Sequence, residues 1–277
     1  MKINDSANQR IATFEAALSL NANRSRLDLL YAGVDLGTAY IVTAVVDRHG
    51  NPLAGVLTRS QHSIRDGLVL DYIQAVNILR HQVDVLKEAG FSISSAAAAY
   101  PPGTIGRNAK VFSNVLTAVG MDVKALIDEP TAASIVLEIT EGAVVDIGGG
   151  TTGISVIKKG KVIYTADEPT GGVHVDLVLA GHFKIPVHKA ELMKIDPERQ
   201  SEILPLIIPV FQKMASIVKR HVRGYPVDTI YLVGGTSCFP GIDKVIEGET
   251  GLTVEKPNNP MLVTPLGIAL SCIKNSA

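Results

Sequence analysis

VVDIGGGTTGISVIKKGKVIY, residues 144–164, is the stretch that decides the fold. Its glycines at 148, 150 and 153 spell G-x-G-x-x-G, the spacing of a dinucleotide-binding turn. Such a turn needs a helix directly after it, so that the helix N-terminus faces a pyrophosphate. Gly153 leads instead into ISVIKKGKVIY, two runs rich in β-branched residues joined by Lys158-Lys159-Gly160-Lys161, which is the pattern of a hairpin. A dinucleotide fold is thereby excluded. The stretch predicts strand, glycine turn, strand, tight turn and strand, with Asp146 closing the first strand.

Toward the N-terminus the same design occurs again. A strand from Leu29 to Gly37 leads into YIVTAVVD (40–47), the turn RHGN and the strand PLAGVL (52–57), so Asp35-Leu-Gly37 stands where Asp146-Ile-Gly148 stands. An internal duplication of one α/β unit accounts for both copies. Between them lie a helix over 71–90 with Ile73, Val76, Leu79, Val83 and Leu86 on one face, a strand Ser94–Tyr100, a helix from Pro102-Gly103 to Gly120, the strand VKALI (123–127) and a helix from Glu129. Beyond residue 164 the pattern predicts helices over 172–183, 187–195 and 198–223, the last kinked or split at Pro205 and Pro209. A strand TIYLV (229–233), a helix from Pro240 and a final helix from Pro265 complete the chain. Ahead of the first strand, residues 6–20 read as a helix after an Asp5/Ser6 cap, with the polar break NANRSR beyond it. Ala7, Ile11, Phe14 and Leu18 form one seam on it, predicted to pack on the protein's own first lobe, with docking on a partner as the alternative.

Bulk properties narrow the function classes. The chain has 277 residues, 46% hydrophobic and 19% charged, enough for two compact lobes. A net charge of −1 leaves no excess of basic residues for a nucleic-acid partner. Cys238 and Cys272 stand in no CxxC pair, which argues against a disulfide framework or thiolate zinc and for a reducing compartment. The seven histidines show no metal-ligand spacing. No run approaches the ~20 apolar residues of a membrane span, and MKINDSANQR lacks the apolar core of a signal peptide. The expectation is a cytoplasmic protein with neither a membrane nor a nucleic acid as partner.

Four segments carry chemistry. In VDLGTAY, Asp35 can hold a hydrated cation, Gly37 lets backbone N–H groups approach an anion, and Thr38 can donate to phosphate. Taken alone, DxGT is also an ordinary hairpin turn. Asp146, Gly148, Gly149, Gly150, Thr151 and Thr152 repeat the arrangement, and two such hairpins suggest two clamps on one polyphosphate. LVGGTSCFPG brings a buried strand to Gly234-Gly235-Thr236 ahead of a helix, suited to a base or ribose on the glycines and to phosphates at the helix start. In IDEPTAAS a helix starting at Glu129-Pro130 puts a carboxylate in its first turn, either to orient a water or merely to stabilise the helix dipole.

In chain order the four segments resemble phosphate 1, connect 1, phosphate 2 and adenosine motifs of the actin/Hsp70/sugar-kinase ATPase superfamily. RDGLVLDY, YPPGT, DEPTAAS, VVDIGGGTTGISVIKKGKV, ADEPTGGVH and LAGHFKIPVHKAE are together similar to the EutJ family of ethanolamine utilization proteins, over residues of about 30–275. The resemblance implies a duplicated α/β fold of the ribonuclease H-like kind, with two lobes around a nucleotide cleft. It divides the chain into an extension at 1–27, lobe I at 28–141, lobe II at 142–263 and a helix at 264–277 returning to lobe I. It implies ATP and Mg²⁺ as cofactors, Asp35 and Asp146 positioning the metal through water, and Thr38 and Thr151 on the phosphates. Glu129 orients the attacking water, and Gly234, Gly235 and Thr236 line the adenosine pocket. Glu191 and Lys194 stand where actin-like relatives contact ribose and base; a solvated helix face is the competing reading.

Two departures bear on activity. Cys238 stands where Hsp70 has an arginine on the adenine, and no counterpart exists of the lysine that reaches the transferring phosphate. Losing that cation slows phosphoryl transfer. The resemblance therefore implies a slow, chaperone-like ATPase of ethanolamine utilization, acting on the pathway's enzymes or on microcompartment shell proteins. It carries no β-sandwich domain or helical lid for holding clients as Hsp70 does. A filament-forming or nucleotide-sensing scaffold is the alternative, and a small-molecule kinase ranks last.

Overall fold

The computed structural model describes residues 2–20, 29–60, 64–65, 68–104 and 106–274; NANRSR and Asp66-Gly67 of RDGLVLDY lie outside them. In chain order the elements are α1 (Asp5–Ala17), β1 (Leu30–Leu36), β2 (Tyr40–Asp47), β3 (Pro52–Arg59), β4 (Ile64–Arg65), β5 (Leu68–Val69), α2 (Tyr72–Glu88), β6 (Ser95–Tyr100), α3 (Arg107–Thr117), β7 (Asp122–Asp128) and α4 (Glu129–Leu137). Next come β8 (Glu141–Ile147), β9 (Thr152–Lys158), β10 (Lys161–Glu168), α5 (Gly172–Phe183), α6 (Val187–Ile195), α7 (Gln200–Val222), β11 (Thr229–Val233), α8 (Ile242–Thr250), β12 (Thr253–Glu255) and α9 (Val263–Lys274). They form two compact units, one of Lys2–Ile139 with Leu262–Ala277 and one of Thr140–Met261.

The first unit is built on the sheet β3-β2-β1-β6-β7, the second on β10-β9-β8-β11-β12. In each, the three strands that are consecutive in sequence pair antiparallel and the remaining two add in parallel. Identical order and direction in both units is the duplication expected from the repeated Asp–x–Gly hairpins. The short strand β12 escaped the sequence reading because three residues carry too little alternation.

In the first unit α2 buries Ala75, Val76, Leu79, Gln82 and Leu86. Ile73, assigned to that face from spacing, is 71% exposed. At 100° per residue it lies roughly 120° around the helix from Leu79. Gln82 goes inside because its amide is fully used. Its Oε1 accepts from the Thr43 hydroxyl at 2.7 Å, and its Nε2 donates to the Ile41 carbonyl at 2.8 Å and to Thr58 Oγ1 at 3.0 Å.

The cap of α1 is Asn4 rather than Asp5/Ser6: Asn4 Oδ1 accepts from the Ala7 N–H at 2.7 Å, and its amide donates to Glu138 at 2.9 Å. Ala7, Ile11 and Phe14 are buried, and α1 packs on β3. A Cβ at Gly55 would stand 2.6 Å from the Phe14 ring and 2.9 Å from a Leu18 methyl, so the glycine opens the slot that receives the seam. The seam thus packs inside its own unit, the first of the two readings its spacing allowed.

Helix α9 crosses β1 and α4 at close range. A Cβ at Gly33 would meet the Ala269 nitrogen at 2.2 Å, and one at Gly267 would meet the Ala132 carbonyl oxygen at 1.9 Å. The helix begins at Val263, two residues before the expected start, because Pro265 sits in the first turn, where no N–H donor is needed.

The core of the second unit gathers Val145, Ile147, Ile154 and Leu232 from the sheet against Ile207, Phe211 and Met214 of α7. Helix α7 is not split at Pro205 and Pro209 but continues through both. Both prolines are exposed and one turn apart, so the carbonyls they leave unpaired lie on the wet side, while Ile203, Ile207 and Phe211 hold the other side in the core. By length and composition α7 would also pass for a membrane span. Its seam is in the unit's core, and it ends in Lys219, Arg220 and His221.

Candidate functional site

The two hairpins have the same register. Asp35 pairs with Val42 and Leu36 with Ile41; Asp146 pairs with Gly153 and Ile147 with Thr152. In each the first turn glycine donates back across the loop, Gly37 to the Tyr40 carbonyl and Gly148 to the Thr151 carbonyl, both at 3.0 Å. A Cβ at Gly37 would lie 2.7 Å from the Tyr40 oxygen, which is why that corner needs glycine. The Thr38 turn is held from the end of β3, where the Ser60 hydroxyl donates to the Thr38 carbonyl.

Ligand positions in open α/β sheets lie beyond the carboxyl ends of the parallel strands. In the first unit those ends carry Asp35 on β1, Tyr100 on β6 and Asp128 on β7, with Glu129 directly after it. Burial, and then the nearby Asp128 charge, push the Tyr100 hydroxyl above its ordinary value. Asp128 caps α4 by accepting from the Thr131 N–H at 3.0 Å. Glu129 stands in the first turn of that helix, where its charge also faces the helix dipole. In the second unit Asp146 ends β8 and Gly234 comes directly after β11, with Val233 opposite Asp146.

Around Gly148 the second unit is densely braced. The Gly148 carbonyl accepts from the Gly172 N–H at 3.0 Å and from the Thr236 hydroxyl at 2.7 Å, and the Gly149 carbonyl accepts from the Val173 N–H at 2.8 Å. The loop's carbonyls therefore point to the protein. Among the described residues, the N–H groups of Gly149, Gly150 and Thr151 donate to no carbonyl. A loop whose oxygens are pinned from behind and whose successive N–H groups stay unpaired is an anion cradle.

The close approach has its own glycines. A Cβ at Gly171 would lie 2.7 Å from the Gly149 oxygen, and one at Gly172 would lie 2.6 Å from Thr236 Oγ1 and 3.1 Å from Lys194 Nζ. Gly234, at φ +90°, passes so near Asp146 that a Cβ would be 2.3 Å from its Oδ1. Lys194 Nζ is 2.7 Å from Asp176 Oδ1, with the side chains 16% and 6% exposed, and it donates to the Gly172 carbonyl at 3.2 Å.

The second unit thus brings together Asp146, Gly148, Gly149, Gly150, Thr151, Gly234, Gly235, Thr236 and Lys194. Three of the expected side chains are already hydrogen-bonded within the unit. Thr152 is fully buried and its hydroxyl donates to the Thr170 carbonyl at 2.6 Å, so it braces the loop. The Thr236 hydroxyl is likewise committed, donating to the Gly148 carbonyl. Lys194 is neither solvated nor projecting; its ammonium holds the start of α5. Glu191 is half-buried on α6, one turn before Lys194. The expected helix start at Pro240 is replaced by a 3-10 turn at Gly235–Cys238, with α8 beginning at Ile242.

Gly171, Gly172 and Asp176 were missed. Their signal was present in PTGGVHVD: a glycine pair opening an apolar helix, with an acid four residues on.

The duplicated sheets and paired Asp–x–Gly hairpins define the actin-like ATPase fold. The model of cell division protein FtsA matches residues 143–267, and that of MreB/Mbl protein matches residues 58–195. The crystal structure of MreB5 of Spiroplasma citri bound to ADP has a TM-score of 0.69 at 17% identity, covering 87% of this chain and 95% of that one; at that identity the likeness is one of fold. Two relatives are much nearer. Ethanolamine utilization protein EutJ of Escherichia coli K12 is 43% identical over 87% of this chain and 86% of its own length. The crystal structure of EutJ from Carboxydothermus hydrogenoformans has a TM-score of 0.89 at 44% identity, covering 95% of this chain and 97% of that one. The chain belongs to the ethanolamine utilization protein EutJ family.

Proposed function

We propose that this chain binds Mg-ATP and hydrolyses it slowly, as a chaperone-like regulator of ethanolamine-utilization proteins in the cytoplasm, beside a bacterial microcompartment. The observation that carries the reading is the cradle at Gly149–Thr151, with carbonyls pinned by Gly172, Val173 and Thr236 and N–H groups unpaired. Such a cradle suits a phosphate, and the ADP-bound structure of MreB5 of Spiroplasma citri lends the fold a nucleotide.

The donor set suits Mg²⁺. This ion prefers carboxylate oxygen, keeps several waters and shares itself with substrate phosphates, so it needs one or two carboxylates and no protein cage. Asp146, 7% exposed at the end of β8, and Asp35, at the matching place on β1, are such groups. When bound, the ion would offset phosphate charge. Of the chain's own residues, the cradle N–H groups orient the phosphates, Thr38 and Thr151 donate to them, and Glu129 orients a water for attack. Cys238 in place of an arginine, and the lack of a lysine for the transferring phosphate, are why turnover is slow.

Calorimetric titration of Mg-ATP and Mg-ADP, with melting curves alongside, tests this. Ligand at 100 times Kd stabilises by about 2.7 kcal/mol. No heat and no rise in melting temperature at millimolar nucleotide would remove the proposal.

A further inference from the structure

Away from the cradle, the second unit holds a cavity of about 640 Å³ between the end of α7 and the junction of α8 with β12. Its volume is within the range of about 300–1,000 Å³ typical of ligand sites. Tyr225, Val227 and Leu252 supply an apolar side, and Lys219, Arg220 and Arg223 supply cations, with no acidic residue in the lining. In a chain of net charge −1, three cations around one hollow are a local excess.

Part of that excess has a plain cause. Cations at the end of a helix offset its dipole, and Lys219 donates to the Glu249 carbonyl at 2.7 Å. Arg220 lies 2.6 Å from Glu168, yet its side chain is 62% exposed. Arg223 falls beyond the last helical residue and forms no hydrogen bond or ion pair among the described residues. A guanidinium without a partner beside an apolar wall accepts a carboxylate in bidentate fashion. The apolar wall is itself fixed: the Tyr225 ring lies 4.9 Å from that of Tyr164, which hydrogen-bonds His221 at 2.7 Å.

We propose that this cavity is a docking site for a short acidic segment of a protein partner, with Arg223 and Arg220 taking its carboxylates and an adjacent apolar side chain entering against Tyr225, Val227 and Leu252. Charge complementarity selects the acid. The exposed rim selects a peptide over an enclosed small ligand, because Lys219, Arg220, Arg223 and Gly224 all stay open to solvent while small-molecule sites bury most of their ligand. Nucleotide has no part in this site, so it stands apart from the ATP reading.

The test is binding of the full-length chain to an immobilised library of synthetic heptapeptides, with affinity then measured for the best ligands at two salt concentrations. Peptides retained by the unmodified chain carry Asp or Glu next to an aliphatic or aromatic residue. Their affinity falls at least tenfold with Arg223→Glu and further with Arg220→Glu added, and it weakens as salt rises. Arg223→Gln, which removes charge at an exposed position without reversing it, gives an intermediate loss; melting curves for each variant confirm the fold is kept. Retention without acidic enrichment, or equal binding by Arg223→Glu, would overturn the proposal.

Discussion

Replacing Gly234 by alanine probes the closest backbone approach in the braced site. The residue sits at φ +90° and ψ 159°, a region open to glycine alone and costing other residues about 1–3 kcal/mol. The new carbon would stand 2.3 Å from Asp146 Oδ1 and 2.5 Å from the Ile147 carbonyl oxygen, against a relaxed C···O contact of about 3.3 Å. Roughly 1 Å must be found. Strand β8 cannot yield it, being paired on one side with β9 and on the other with β11. The 234–236 turn moves instead, stretching the Gly234 N–H bond to the Pro260 carbonyl, now 3.0 Å, and drawing Thr236 from Gly148. Adding about 1–3 kcal/mol for overpacking and about 0.5–1.5 kcal/mol for the bond gives a cost of roughly 2.5–7.5 kcal/mol. At about 2–4 °C per kcal/mol the melting temperature falls by at least ~5 °C. Differential scanning calorimetry measures it, with Gly248→Ala as the matched control. Gly248 lies inside α8 with nothing within 4 Å of a new Cβ, so alanine there is neutral or mildly stabilising. Melting of Gly234→Ala within a degree of Gly248→Ala would refute the reasoning.

Thr236→Val keeps the shape and removes the donor to Gly148; stability drops by about 1 kcal/mol, and Mg-ATP affinity drops with it, measured by calorimetry. Glu129→Ala leaves ATP binding nearly intact and lowers hydrolysis by about 10²–10⁴-fold; unchanged turnover would return Glu129 to a helix-start acid. Glu168 supplies a pH test. The hydrogen bond from His221 holds its carboxyl below the ordinary value of 4.5; partial burial opposes the shift and the Arg220 charge adds to it. A depressed carboxyl contributes stability that is full above its unfolded pKa and lost as pH falls through the folded one. The bond between β10 and α7 therefore weakens as pH drops below about 4.5, and Glu168→Gln has a flatter acid limb in melting temperature against pH.

Much of the fold was readable because its signals are local and redundant. Alternating β-branched residues around KKGK and RHGN mark both hairpins, and once Asp35 is matched with Asp146 the second sheet can be inferred from the first. The errors fall where a tertiary partner outweighs spacing. Gln82 is polar yet buried, since Thr43, Ile41 and Thr58 satisfy its amide. Pro205 and Pro209 leave α7 whole, since their cost falls on the wet face. The candidate site divides in the same way. The glycines of the cradle are visible in sequence because backbone geometry demands them. For Thr152, Thr236 and Lys194 the sequence shows donors, and the structure adds that these reach the Thr170, Gly148 and Gly172 carbonyls, with Asp176 completing the lysine's shell. Sequence shows that a side chain can donate, not that it already has.

Since α9 covers Gly33 of β1 and Ala132 of α4, the first unit is assembled from both ends of the described chain, with Thr140–Met261 made in between. This fixes an order of events on the ribosome. At about 5–20 residues per second, the stretch from Thr140 to Lys274 takes on the order of ten seconds to make. For that time β1 lacks the helix that lies over it, while the second unit already has every strand it needs before α9 exists. The nascent first unit is thus the part left with open apolar surface, and the part a ribosome-bound chaperone would meet.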